Sequence, residues 1–108
     1  MNANVFEFNE SLSGLRINFG ELYVEAKLAY ADGIMDAEDF ANYENIYVEF
    51  ETLVSNYAVG EVSQNDLLRG LFNLTKDLEI NAENVYHYSA FDLMSESYIE
   101  LAEINLCR

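Results

Sequence analysis

Few side chains in this sequence are equipped for covalent chemistry. There is one histidine, His87, and one cysteine, Cys107. His87 has Glu83 one turn before it and Ser89 two residues after it. A nucleophile and its base must lie within hydrogen-bond reach, and residues two apart on a helix do not face each other. His87 is therefore expected to be a partly exposed helical histidine. One Cys and one His are too few for a zinc site built from those residues, and a di-metal carboxylate bundle would want Glu-x-x-His motifs, which do not occur. There is no glycine-rich phosphate loop and no His-Glu-x-x-His pair. Neither catalysis nor a bound metal or cofactor is expected.

Carboxylate is what the chain has in abundance. Twenty Asp and Glu face five Lys and Arg among 108 residues, a formal charge of −15. Residues 28–68 hold nine acids and no base, and residues 77–107 hold seven acids and no base. Such a charge disfavours direct binding to nucleic acid or an anionic membrane and points to a basic protein partner. Asp92, Glu96 and Glu100 fall at i, i+4 and i+8, with Glu103 adjoining. Like charges at this spacing destabilise a helix by a few tenths of a kcal/mol per pair, roughly the reverse of an opposite-charge pair. A helix shaped for stability alone would interleave lysine. Acids on that row rise about 6 Å apart, at 1.5 Å per residue, whereas phosphates along one DNA strand rise about 3.4 Å. Partial mimicry of a nucleic acid would need acids from a second helix, for which Glu44 and Glu51 are the candidates. The eight tyrosines include several core positions, while Tyr30, Tyr86 and Tyr88 stand near acids, and Tyr88 joins the candidate partner-binding set.

In size, acidity and lack of catalytic motifs the chain resembles two groups of small inhibitors. One is the phage-encoded anti-CRISPR and antirestriction proteins. The other is the immunity proteins that neutralise nuclease toxins of the colicin type. The resemblance is one of character, so no residue role carries over. It implies a viral or bacterial protein that blocks a basic nuclease or defence effector.

The elements that must position these residues are read from the punctuation. Proline is absent, so helices end by other means. Asp32-Gly33-Ile34-Met35-Asp36 is followed by Asp39, and Val59-Gly60-Glu61-Val62-Ser63 is followed by Asp66. Each junction has a Gly to end one helix, a capping Asp or Ser, and an acid three residues on. Asn81 is a weaker candidate cap. The helical segments expected are roughly 10–31, 36–58, 63–79 and 82–106. Apolar residues recur at spacings of three and four in each: Leu12, Leu15, Phe19, Leu22, Ala26 and Ala29; Phe40, Tyr43, Tyr47, Phe50, Val54 and Tyr57; Leu67, Leu71, Leu74 and Leu78; Phe91, Met94, Tyr98 and Leu101. Short connections imply antiparallel neighbours, hence one all-α domain over 1–108, a compact bundle of about four helices. An α+β alternative makes residues 5–8 and 15–19 a short hairpin, with Leu15, Ile17 and Phe19 facing the core and Arg16 meeting Glu7.

The two glycine junctions also resemble the second half of an EF-hand loop. With the Gly at loop position 6, positions 1 and 3 are Leu28 and Tyr30 in the first and Ser55 and Tyr57 in the second. Both lack the leading carboxylates, so the alternative reading is a degenerate EF-hand-like interaction module without calcium. A single cysteine forms no intramolecular disulfide, no signal peptide is evident, and no apolar run reaches the ~18 residues of a membrane span, so a cytoplasmic location is expected.

Overall fold

The computed structural model describes residues 3–106, which form four helices and, among the described residues, no strand. They are α1 (Ala3–Ala31), α2 (Ala37–Ala58), α3 (Gln64–Ile80) and α4 (Val85–Leu106). α1 packs against α2 and α4, and α3 packs against the same two, so α1 stands diagonally across from α3 and α2 from α4. Contacts fix the directions. Asn9 meets Tyr57, Arg16 meets Glu51 and Tyr23 meets Glu44, so α1 and α2 run antiparallel in one register. Asn105 meets Asn65 and Tyr98 meets Phe72, which sets α4 antiparallel to α3. Asn4 Nδ2 donates to the Ile104 carbonyl, so α4 is also antiparallel to α1. The result is an up-down-up-down bundle 47 Å long.

The turns follow from their residues. Gly33 and Gly60 adopt φ of 77° and 83°. Around each, the chain closes two bonds: Ile34 N–H to Ala29 O with Gly33 N–H to Tyr30 O, and Glu61 N–H to Asn56 O with Gly60 N–H to Tyr57 O. This is a Schellman cap at both ends, and it needs a residue at home in the left-handed region. Asp36 then accepts from Asp39 N–H at 2.8 Å, and Ser63 from Asp66 N–H at 3.1 Å, opening α2 and α3. The third junction differs from expectation. Asn81 closes α3, its Nδ2 donating to Asp77 O, while Asn84 Oδ1 caps α4 by accepting from the backbone of Tyr86 and His87.

The all-α expectation holds and the alternative hairpin is overturned, because residues 5–19 all lie inside α1, which starts at Ala3 rather than near residue 10. Burial shows why. Phe8, Leu12, Leu15 and Phe19 are all buried, a helical stripe, whereas a strand would have put Ile17 beside Leu15 and Phe19, and Ile17 is 63% exposed. Arg16 reaches Glu51 on α2 and not Glu7. The stripe anchors α1 through Gly14 and Gly20, so tertiary packing overrides their poor helix propensity.

Gly14 has open space where a Cβ would sit. Gly14→Ala is expected to raise stability by about 0.4–1 kcal/mol. Gly33→Ala, at positive φ, is expected to lower it by roughly 1 kcal/mol. Urea denaturation of the two variants reads both signs.

Candidate protein-binding surface

The acids of α4 stand together as the spacing predicts. Asp92, Glu96, Glu100 and Glu103 are all exposed, and Tyr88, 56% exposed, heads the same i+4 row. α4 has no basic residue. Its last turn carries Glu103 and no base, where the helix dipole favours a cation. Two local terms thus oppose this arrangement, like-charge repulsion and the dipole.

The second helix that joins the row is α1, not α2. Glu7, Glu10 and Ser11 of α1 line a groove of about 390 Å³ with Glu100 and Ile104 of α4. Glu21 follows Glu10 by about three turns and Glu25 follows Glu7 by about five, so all four lie on the α4 side of α1. The four α1 acids are exposed. Glu7, Glu10 and Glu100 meet at that groove, and Glu21, Glu25, Asp92, Glu96 and Glu103 are the other exposed acids of these two helices.

Glu44 and Glu51 do not belong to it. α2 lies diagonally across from α4, and both acids are half-buried against α1. Glu51 receives Arg16 through two nitrogens at 2.9 and 3.2 Å. Glu44 accepts the Tyr23 hydroxyl at 2.5 Å, which with burial pushes the Tyr23 phenol up to about 12. These acids hold α1 and α2 together. Spacing along α2 shows their acidity but not which neighbour the helix faces.

The described bases lie elsewhere. Arg16 and Lys27 fall about half a turn round α1 from Glu7 and Glu25, on the α2 side. Arg69 and Lys76 are on α3, the diagonal corner, and Lys76 Nζ lies 5.1 Å from the centre of the Phe72 ring. α2 has no base and exposes Glu38 and Glu49, so the surface is acidic across α1, α4 and α2 and mixed on α3.

Sequence reasoning missed a second feature of α1. Phe6, Ile17, Val24 and Leu28 are 60%, 63%, 54% and 60% exposed. Counting from Phe6, they follow after about three, five and six turns, so they fall on one line. That line is opposite the buried stripe of Phe8, Leu15, Phe19 and Ala26. The spacing of 11, 18 and 22 residues from Phe6 was legible in the sequence. The denser core stripe of the same helix, at spacings of three and four, masks it.

His87 is also placed differently from expectation, since it is wholly buried and not partly exposed. Its ring meets Tyr43 edge-on with centroids 5.4 Å apart. Both ring nitrogens, the Tyr43 hydroxyl and Asn84 Nδ2 are buried without a hydrogen-bond partner. Helical phase explains the burial: His87 lies one and two turns before Phe91 and Met94, on the face that ends at Leu101. Burial lowers its pKa, partly opposed by Asp39. Nearby, the Glu83 carboxyl is held above its usual range, first by the hydrogen bond it shares with Asp39, then by the charges of Asp39, Asp36 and Glu38. Among the described residues no three His, Cys, Asp or Glu are grouped to hold a metal ion. Cys107 lies outside the described residues.

A buried neutral His87 makes stability depend on pH. Its folded pKa lies below the unfolded one, so its contribution is full above the unfolded value of about 6.5 and is lost as pH falls toward the folded value. His87→Phe keeps a ring against Tyr43 and removes the titration. Wild type is expected to lose stability relative to this variant between pH 7 and 5, with a slope of at most about 1.4 kcal/mol per pH unit. Parallel denaturation curves at each pH measure the difference, and a constant difference would exclude His87 as its source.

Comparison with known proteins returns no match to the chain from any family model, curated protein or solved structure.

Proposed function

We propose that this protein acts by binding rather than by catalysis, as a small inhibitor of a basic nucleic-acid-binding protein. The observation that carries the reading is the base-free carboxylate face of α1 and α4. Its acids stand on two antiparallel helices whose axes run about 8–10 Å apart, and successive acids on each are one to several turns apart. That gives two rows of negative charge on a rigid support. A groove lined with lysine and arginine to hold phosphates is a complementary surface. The acids are spaced more widely than phosphates, so electrostatic complementarity with partial mimicry describes the fit.

The target class is a nuclease or a defence effector, and the setting is the cytoplasm of the cell that makes it. Neutralisation of a nuclease toxin by an immunity protein would use the same surface. No helix among the described residues is long and apolar enough to cross a membrane. The alternative is a degenerate EF-hand-like module that binds a partner without calcium, and the two glycine turns do not by themselves favour it. Their geometry is that of helix caps, and Asp39 and Asp66 there supply backbone N–H groups to Asp36 and Ser63.

The test is capture from nuclease-treated lysate on immobilised protein, with elution by a salt gradient and, separately, by duplex DNA. A basic nucleic-acid enzyme released by both is the expected result. Asp92→Asn, Glu96→Gln and Glu100→Gln combined should weaken its binding at least tenfold at low salt and flatten the salt dependence, with the helical spectrum unchanged. Affinity indifferent to these substitutions and to salt would remove the acidic face from the function.

A further inference from the structure

An acidic face alone does not account for the outward side of α1. Ile17, Val24 and Leu28 form a line about 17 Å long, and Phe6 lies on the same side about three turns before Ile17, with Glu10 between them. They contribute nothing to the core, which α1 reaches through its opposite side. A row of large apolar side chains in water marks a surface that another molecule covers. Its edges are unequal. Glu21 borders it on the α4 side with Glu25 beyond, and Glu10, about five turns before Leu28, stands in the gap after Phe6. Arg16, on the other edge, is bound to Glu51.

We propose that the outward face of α1 is the apolar centre of the interface, and that it receives an amphipathic basic helix on the surface of the partner. The proposal rests on the reading of the acidic face above and names the partner element that fits beside it. Three features select a helix of this kind. The line from Ile17 to Leu28 is straight and continues for about three turns, the shape against which a second helix lays an apolar stripe. The bordering carboxylates match lysine or arginine along one edge of that stripe. A second copy of this chain is the poorer fit, because each copy carries −15 and brings its own acid row to the contact. Interfaces of this type place a desolvated apolar centre inside a charged rim, and the centre supplies most of the affinity while the rim supplies rate and selectivity.

Two designed helical peptides probe it. Both carry lysine on one face; one has leucine and the other serine on the opposite face. The protein variants are Ile17→Ser with Val24→Ser, and Glu7→Gln with Glu10→Gln and Glu21→Gln. All five positions are exposed, so the fold is expected to survive, which the helical spectrum checks. The leucine peptide should bind the wild type at least tenfold tighter than the serine peptide. Its amide shift perturbations should follow Phe6, Ile17, Val24 and Leu28. The apolar double variant should abolish that advantage without altering the salt dependence, and the acid triple variant should weaken both peptides. Equal affinity of the double variant and wild type for the leucine peptide would overturn the proposal, and if the triple variant still weakened binding, the acidic-face reading would stand without it. Indifference of both peptides to the triple variant would instead count against the acidic face. Sedimentation showing a wild-type dimer that Ile17→Ser and Val24→Ser dissociate would assign the stripe to a second copy and overturn the proposal.

Discussion

The fold depends on a seam of rings between α1 and α2. Tyr23 stacks on Tyr47 with centroids 4.3 Å apart and planes 3° from parallel, and Tyr30 stacks on Phe40 at 4.8 Å. Phe19 meets Tyr43, Tyr47 and Phe50, and Phe8 meets Tyr57. Pairs of this kind contribute about 0.5–1.5 kcal/mol each beyond the area they bury. Tyrosine serves here because the seam reaches the surface. Its rings pack inward while two hydroxyls find acceptors at the edge, Tyr23 on Glu44 and Tyr57 on Asn9. With Arg16 on Glu51, these contacts fix one register along the whole length of the pair. The stock of tyrosines, which in the sequence suggests an interaction surface, is spent largely on this seam.

Once α1 and α2 are locked in that register, the rest of the charge must go elsewhere. α2 uses Glu44 and Glu51 internally, and α3 carries Arg69 and Lys76. Glu38 and Glu49 of α2 stay exposed, and the largest group of acids left without compensation is on α1 and α4. Acids there are unfavourable for α4 as a helix, through both their spacing and the dipole. The bundle tolerates them because Met94 and Leu101 are buried on the opposite face of α4, at about 1.5–3 kcal/mol for each fully buried side chain. The molecule therefore has a division of labour among its helices: α2 and α3 complete the core, and α1 and α4 also present the unbalanced surface.

Much of the fold was legible in the residues, because helix ends and core stripes are local signals. The Gly33 and Gly60 turns, the Asp36 and Ser63 caps and the stripe from Phe40 to Val54 stand where spacing puts them. The start of α1 was not legible, since Gly14 and Gly20 weaken the propensity that packing by Phe8 and Leu12 restores. Asn84 was passed over as the α4 cap because Asn81 offers the same chemistry three residues earlier. The acidic row on α4 was visible as an i+4 repeat, whereas the engagement of Glu44 and Glu51 with α1 was not. Which helices share a face is decided by the order in which the bundle closes, and a helical period carries no information about that. His87 was misjudged for a related reason: a polar residue on a core stripe is read as exposed unless the stripe is followed through it.

The placement of that face on the first and last helices has a consequence for how the chain can be recognised. α1 with α2, and α3 with α4, are hairpins of neighbouring sequence, and each can form by local contacts. The α1–α4 seam, tied at one end by Asn4 and Ile104, exists only when the two hairpins have docked. A partner that reads carboxylates from both helices at once therefore binds the closed chain and neither half. By mass action it draws the population toward the closed state, adding about 2.7 kcal/mol of apparent stability when its free concentration is a hundredfold above its dissociation constant. Recognition and completion of the fold become a single linked equilibrium, in which a loosened bundle is also an unrecognised one.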